Sequence, residues 1–417
     1  MTSVLDLSAL TIDQQVDELK RQFVLLRGKA AVVRALVGEL PVRQYISMLE
    51  QGYRVFIEQD DNGYFLVLYP DGSTPRIGLR GAHSLVSHRD GRVYCNTTSS
   101  GVAVIDGSTR RVLKHIQVGE DPSHLELSHD GARLYVANSG SNDVTIIDTA
   151  GDEEITTAST GKRPLLPCVA PDGNTIYLPS GPDRSVTVLG SDGEFRGRVP
   201  VGAAPHDIAV SPDCRWAYQP NSASHSVTVI DGRDYSVVGE IKVGLGPGHI
   251  VFDPESRFAY VANTISDDVT VIATANHEAV ATIAAGTGAH LPSLSADGRY
   301  GYVANFVSDD LTVWNCQDHR IVATIPVGIY PHFFALSADG KWLIVSNTGE
   351  SSVSLVDAHE HVTRSRFEVG GGPAHIAFSP DNECAFVGCE RSDEVAVIDL
   401  RRQRVVELIK AGEAELA

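Results

Sequence analysis

The chain has 417 residues, 42% of them hydrophobic and 21% charged, a globular composition with room for more than one domain and a sizeable core. Its formal net charge is −19, which repels nucleic acid and anionic membrane as partners and tolerates cations. The opening MTSVLDLSALTIDQQ has no basic or apolar signal region. No run approaches the ~18 apolar residues that span a bilayer, so the expectation is a soluble, cytoplasmic protein. The six cysteines (95, 168, 214, 316, 384, 389) form no C-x-x-C pair and read as reduced thiols, not metal ligands.

In chain order, residues 4–10 alternate as a short strand. Residues 11–26 place Val16, Leu19, Phe23 and Leu26 at helical spacing, with Thr11 or Asp13 as cap and Gly28 as stop. A second strand follows over 30–37. A second helix spans 40–51, with Pro41 at its start and Gly52 at its end. Strands 53–59 and 64–69 are joined by Asp-Asp-Asn-Gly, a hairpin signal. This β-α-β-α-β-β order, with the phrase ELPVRQYISMLEQGYRVFIEQDDNGYFLVLYP, resembles the small TusA/SirA-like α+β fold in its cysteine-free branch. Members of that fold that move sulfur use a Cys-Pro at the first helix. Leu10-Thr11-Ile12 stands there instead, so the resemblance implies a docking or stabilising domain over 1–70, a place for a protein partner. Residues 70–75 are the linker.

From residue 76 onward a period of 41–43 residues dominates, with units starting near residues 83, 124, 165, 206, 249, 290, 332 and 375. Each unit runs through a glycine turn, a short apolar strand, an Asp-Gly-type turn and three further strands. A four-stranded meander of this size cannot bury both faces alone, so the units pack on one another. Closing them into a ring protects the edges, which makes 76–417 a β-propeller. Eight blades are expected, with seven as the alternative. Residues 76–81 look like an outer strand that could join or compete for ring closure. The phrases YVAN (135–138, 260–263, 302–305) and VTVID (227–231) resemble the YVTN family of propeller repeats, which implies fold and little about function. The Asn ending the second strand (138, 221, 263, 305, 347) is expected to hydrogen-bond turn backbone.

Seven units carry a histidine at the start of the first strand: His83, His124, His206, His249, His290, His332 and His375. The third carries Leu165-Leu166. Counted back from the Ser or Asp that opens the next turn, His83, His124, His249 and His375 stand four residues before it, and His206, His290 and His332 five. Neighbours on a strand face opposite ways, so either the loops absorb this slip or the two classes diverge. Absorption is expected. First strands line a propeller's channel, so the histidines should crowd its mouth, on the face that also carries His225, Asp267-Asp268, Asp309-Asp310 and Asp393-Glu394.

Clustered imidazoles repel when protonated and waste packing when unpaired, and a transition metal resolves both costs. An imidazole set suits copper, zinc, iron or nickel, with copper bound most tightly. Asp207, Glu126 and Asp121 are candidates to hold the second ring nitrogens. The ring resembles in kind the copper-holding propellers of nitrous oxide reductase and methanethiol oxidase. Eight blades also resemble the haem-binding propeller of dissimilatory nitrite reductase, with Arg80, Lys162 and Arg163 the basic residues near the strand starts. No second copper domain is present, so nitrous oxide reduction itself is not expected. No Ser-His-Asp arrangement, phosphate loop or H-E-x-x-H occurs. The expected function is a metal-dependent oxidoreductase acting on a small-molecule substrate, copper favoured over iron or zinc. Tyr330, Phe333 and Phe334 could wall its pocket. The alternatives are a haem-binding or haem-modifying propeller, a propeller lyase similar to the streptogramin-opening enzymes, and a non-catalytic scaffold.

Overall fold

The computed structural model describes residues 3–6, 14, 33–36, 54–60, 63–69, 81–97 and 101–412. The chain divides into two compact units, Met1–Ile77 and Gly78–Ala417. In the first, strands Ser3–Asp6, Val33–Leu36, Gly63–Tyr69 and Arg54–Asp60 lie side by side in that order. Ser3–Asp6 runs parallel to Val33–Leu36, and the other pairings are antiparallel. The helices expected at 11–26 and 40–51, the linker and the strand expected from 76 lie outside the described residues.

The second unit holds eight four-stranded antiparallel sheets, each built from four consecutive strands. Blade 5 is representative: Pro247–Phe252, Phe258–Asn263, Asp268–Ala273 and Glu278–Ala284. Its second and third strands are buried on both faces between neighbouring blades, so they read as continuous apolar runs. Its fourth strand is mostly exposed. In five of the eight blades the turn after the first strand is held by a serine–aspartate pair. In blade 4, Ser211 Oγ donates to Asp213 Oδ1 (2.6 Å), and Trp216 N donates to Ser211 Oγ (3.0 Å). The next residue needs a left-handed backbone. Gly298 supplies it at φ 66°, while Cys214, Ser256 and Asn382 adopt 56–57° in the units whose glycine is missing.

First strands of successive blades touch all the way round, the eighth against the first, so the ring is closed with eight blades. Among the described residues no blade mixes strands from the two chain ends. The seam is sealed by side chains: Ala82, Leu85, Val93 and Cys95 of blade 1 form one buried cluster with Phe386, Val395 and Val397 of blade 8. His375 N also donates to His83 O (3.2 Å). In five other blades a buried tyrosine on the second strand reaches the outer turn of the next blade, as Tyr94 Oη does to Asp152 Oδ1 (2.6 Å) and Tyr218 Oη to His277 Nδ1 (2.6 Å). At the seam Phe386 takes that place and packs on Gly107, where an added Cβ would stand 2.8 Å from Phe386 Cζ.

Of the recurring Asn residues, Asn347 bonds loop backbone as expected, its Oδ1 accepting from Gly328 N (3.0 Å), but the shared pattern is another. Asn263 Nδ2 donates to Asp268 Oδ1 (2.6 Å) and Thr270 Oγ1 (2.8 Å), side chains of the third strand rather than turn backbone. Asn138 and Asn305 repeat both bonds, and Asn221 and Asn347 make matching bonds to Ser and Thr hydroxyls. All six cysteines are free thiols. Among the described residues no helix is long and apolar enough to cross a membrane.

Candidate metal centre

The histidines of blades 2, 5, 6, 7 and 8 each sit at a bulge between the first and second strands. In blade 5, Pro247 pairs with Asn263 and Ile250 with Val261, so Gly248 and His249 together oppose Ala262. In blade 6, Ala289 pairs with Asn305 and Pro292 with Val303, so His290 and Leu291 oppose Ala304. Two residues against one break the alternation of the strand and re-aim side chains. His206, His290 and His332 occupy the first bulge position, and His124, His249 and His375 the second. His83 belongs with the first group, not the second. Leu85 pairs with Cys95 as Leu125 pairs with Val136, which puts His83 level with Ser123. The counting from Ser87 fails because His88 holds the turn-opening place: its N donates to Arg92 O as Ser128 N does to Arg133 O (both 2.8 Å). The loops thus absorb the slip, and both classes converge.

All seven imidazoles join in ring contacts, but not as one even circle. His83, His124 and His375, from blades 1, 2 and 8, have ring centres 5.2, 5.4 and 5.3 Å apart. One ring nitrogen from each lies within 4.8 Å of the others. His206, His249 and His290 form a second group, with centres 4.9, 4.7 and 6.3 Å apart. His332 stacks on His290 at 4.7 Å with planes 19° apart. Phe333 divides the groups on one side, 4.4 Å from His332 and 4.2 Å from His375. On the other side the blank third blade, with Leu165 and Leu166, falls between His124 and His206.

Two carboxylates orient two of the rings. Glu390 Oε2 is 2.7 Å from His83 Nδ1, and Asp207 Oδ2 is 3.0 Å from His249 Nδ1. A carboxylate at Nδ1 holds the proton there and leaves the Nε2 lone pair for a ligand. Burial alone would raise the Glu390 carboxyl, yet the hydrogen bond and attraction of His83 hold it below its ordinary value. Burial drives His206 down to about 4 and His332 to about 3. It drives His124, His290 and His375 well below the ordinary imidazole value, and neighbouring histidines add to the shift. These rings keep some surface exposure, and the protein packed around them disfavours their charged form. Burial, with Asp207 nearby, pushes the Glu126 carboxyl up to about 8. His124 Nδ1, His206 Nδ1 and His375 Nε2 are buried without a hydrogen-bond partner, each at a cost of about 1–3 kcal/mol.

Of the carboxylates expected to orient rings, Asp207 does so. Glu126 makes no bond to a histidine, and Asp121 serves the loop, its carbonyl accepting from Ser139 N (2.9 Å). Glu390 was missed. It follows the second strand of the last blade, where Ser222 and Thr348 reach the next blade by donating to Pro247 O and Pro373 O. Ring closure makes the next blade the first. The turn residues expected on this face hold loops: His225 Nδ1 accepts from Gly246 N (3.1 Å), Asp267 from Gly288 N (2.7 Å) and Asp309 from Tyr330 N (2.9 Å). Asp268 and Asp310 accept from the recurring Asn, and Glu394 pairs with Lys410. Tyr330 stacks on His332 at 5.8 Å, whereas Phe334 belongs to the core between blades 6 and 7. Burial lowers the Arg163 guanidinium from its ordinary value. Arg80 lies outside the described residues.

A family model described as "Lactonase, 7-bladed beta-propeller" matches residues 202–362, although this ring has eight blades. Antigen Lp49 of Leptospira interrogans is 28% identical over 140 residues. That match covers 30% of this chain, and the chain spans only 30% of the length of this curated relative. Among solved structures, "Dihydro-heme d1 dehydrogenase NirN in complex with DHE" aligns with TM-score 0.63 and 16% identity, over 82% of this chain and 76% of its own. Hydrazine synthase of Kuenenia stuttgartiensis aligns with TM-score 0.55 and 19% identity, over 79% and 99%. A protein of unknown function from Desulfotomaculum acetoxidans aligns with TM-score 0.54 and 17% identity, over 79% and 96%. At these identities the likeness is one of fold.

Proposed function

We propose that this propeller is a metal-dependent oxidoreductase that holds a transition metal, copper before iron or zinc, on His83, His124 and His375 and acts on a small molecule arriving over the histidine face. The observation that carries it is the convergence of three ring nitrogens within 4.8 Å, from the two blades that close the ring and their neighbour. An imidazole bound at about 2.0–2.1 Å puts its centre roughly 3.2 Å from the metal, and three such rings in a tetrahedral set have centres about 5 Å apart. The observed 5.2–5.4 Å fits without large movement. The unpartnered nitrogens of His124 and His375 gain the partner they lack. A bound metal supplies Lewis acidity or a change of oxidation state at the channel. Glu390 fixes the tautomer and direction of His83, and Phe333 walls the group against His332. Three protein ligands leave a position for substrate.

The reading extends to the whole chain: YVTN-type repeats, a TusA-like first domain that docks a protein partner, a cytoplasmic setting, and neither nucleic acid nor membrane as partner. The repeated YVAN and VTVID phrases, the strand order of the first unit and the net charge of −19 support it. Metal analysis of protein purified without a polyhistidine tag tests it. About one equivalent of a transition metal, native or reconstituted, is expected; less than a tenth of an equivalent after reconstitution overturns it. The second reading is a haem-binding or haem-modifying propeller, supported by the fold shared with a structure named a dihydro-heme d1 dehydrogenase. A visible absorption band on adding haem, lost in His332→Ala and kept in His83→Ala, would favour it.

A further inference from the structure

We infer that His249 and Asp207 form an acid–base pair in the channel, distinct from the metal group. The pair takes the proton of a small hydroxyl-bearing molecule, or of water, that reaches His249 Nε2. The inference rests on the reading above only for the reaction the pair serves. Three observations carry it.

The first is the pair itself. Asp207 Oδ2 stands 3.0 Å from His249 Nδ1. A carboxylate there fixes the tautomer and stabilises the imidazolium that forms, which leaves Nε2 as the base. His249 is 2% exposed. Among the described residues the buried ring nitrogens without a partner belong to His124, His206, His319, His361 and His375, so the unbonded Nε2 of His249 is not sealed off. His206 and His290 stand edge-on to this ring, 4.9 and 4.7 Å away. Among the described residues only His83, His124 and His375 bring one nitrogen each within 4.8 Å, so His249 is left for proton chemistry.

The second is Gln219, in the middle of the second strand of blade 4 and 0% exposed. Blades 2, 3 and 5 to 8 carry Val136, Leu178, Val261, Val303, Val345 and Val387 there. Gln219 Nε2 donates to Asp207 O (2.7 Å) and Pro220 O (2.8 Å), while its Oε1 is buried without a partner, at a loss of stability. That polar group is explained by what it holds. The first strand of blade 4 is cut to Ala209–Val210, and Gln219 fixes the chain at Asp207. Asp207 Oδ1 accepts from Ile208 N (2.8 Å), so the carboxylate is aimed as well. The third is position: a charge on His249 acts on His124 and His375, two members of the metal group. The base therefore stands within electrostatic reach of that group.

In the step, the O–H bond breaks and its electron pair stays on oxygen. The proton binds His249 Nε2, and the imidazolium is held against Asp207. Asp207 and Gln219 are positioning residues. Hydrolysis of 4-nitrophenyl acetate by tag-free, metal-free protein tests this. His249 draws the proton from the attacking water, the water oxygen bonds the acyl carbon, 4-nitrophenolate leaves, and the proton passes to solvent. His249→Gln should be slower by about 100-fold or more. Asp207→Asn keeps every imidazole, so it reports even if the first variant fails to fold, and it should lose most of the same advantage. The far-downfield proton signal of His249 Nδ1–H should vanish in Asp207→Asn. Gln219→Val should displace that signal and slow the reaction. His359→Gln, at an exposed outer turn, should change neither. A His249→Gln or Asp207→Asn protein as fast as wild type overturns the inference, as does a Gln219→Val protein unchanged in rate and signal. No metal enters this assay, so failure to bind metal overturns the proposed function and leaves these rates as they are.

Discussion

Glu390 and His83 are 307 positions apart in sequence and 2.7 Å apart in space. The bond crosses the seam, so it ties ring closure to the geometry of the first triad. Glu390→Ala leaves His83 Nδ1 without its acceptor beside the seam and is expected to cost about 1–3 kcal/mol, while Glu390→Gln keeps an accepting oxygen and loses less. Urea unfolding of the metal-free proteins measures both. An alanine variant as stable as wild type contradicts the link.

Phe386 closes the ring where blades 1 to 6 use tyrosine. It is 1% exposed and joins the buried clusters of the first and last blades. Phe386→Ala should therefore destabilise by about 3–5 kcal/mol, seen as a lower unfolding midpoint. Phe386→Tyr tests the other half of the contact: Gly107 sits against the ring tip, so the added hydroxyl is expected to destabilise as well.

The recurring Asn and the glycine of the next lead-in loop are one packing unit. A Cβ on Gly244 would stand 2.7 Å from Asn263 Cγ. Gly244→Ala is expected to cost about 1–3 kcal/mol by overpacking, and Asn263→Ala a similar amount by stranding buried hydroxyls. The second change removes Asn263 Cγ and Nδ2, two of the three atoms the first collides with, while Ser266 Oγ stays in place, so the double variant should lose somewhat less than the sum. Additive melting shifts would show that the two act apart.

Acid should weaken the outer wall. Burial holds His277, His319 and His361, at matching places in blades 5 to 7, below their ordinary value of 6.5. Unfolding releases that restraint, so below pH ~6.5 the unfolded chain binds more protons than the folded one. Their contribution is fully present above that value and is lost as pH falls through it toward the folded values. Calorimetry of metal-free protein should show the melting temperature falling from pH 7 to pH 5. Replacing all three by Gln should flatten the fall, because the channel histidines are common to both proteins. An unchanged slope counts against the assignment.

The propeller was legible because its signals are local and repeated: an Asp-Gly turn, a buried second strand and an exposed fourth recur with a fixed period. The seven histidines were legible as a set for the same reason. What the sequence hid depends on closure and on bulges. Glu390 becomes a neighbour of His83 only when blade 8 meets blade 1, and no periodic signal marks it. His83 was put in the wrong class because His88 stands in for the turn serine, which only the backbone hydrogen bonds reveal. Phe333 read as a pocket wall, and its place between two histidine groups needed coordinates.

Among the described residues no blade borrows a strand from the other end of the chain, so the seam has no backbone ladder, only the bond from His375 N to His83 O, to hold it against shear. The first triad sits astride that seam, with His375 on one bank and His83 and His124 on the other. An ion bound there acts as a clasp. Were it emptied, a cross-link would be lost between blades 1 and 8, the one neighbouring pair that does not follow directly in the chain, and the rate at which the ring opens under load would become a measure of metal occupancy.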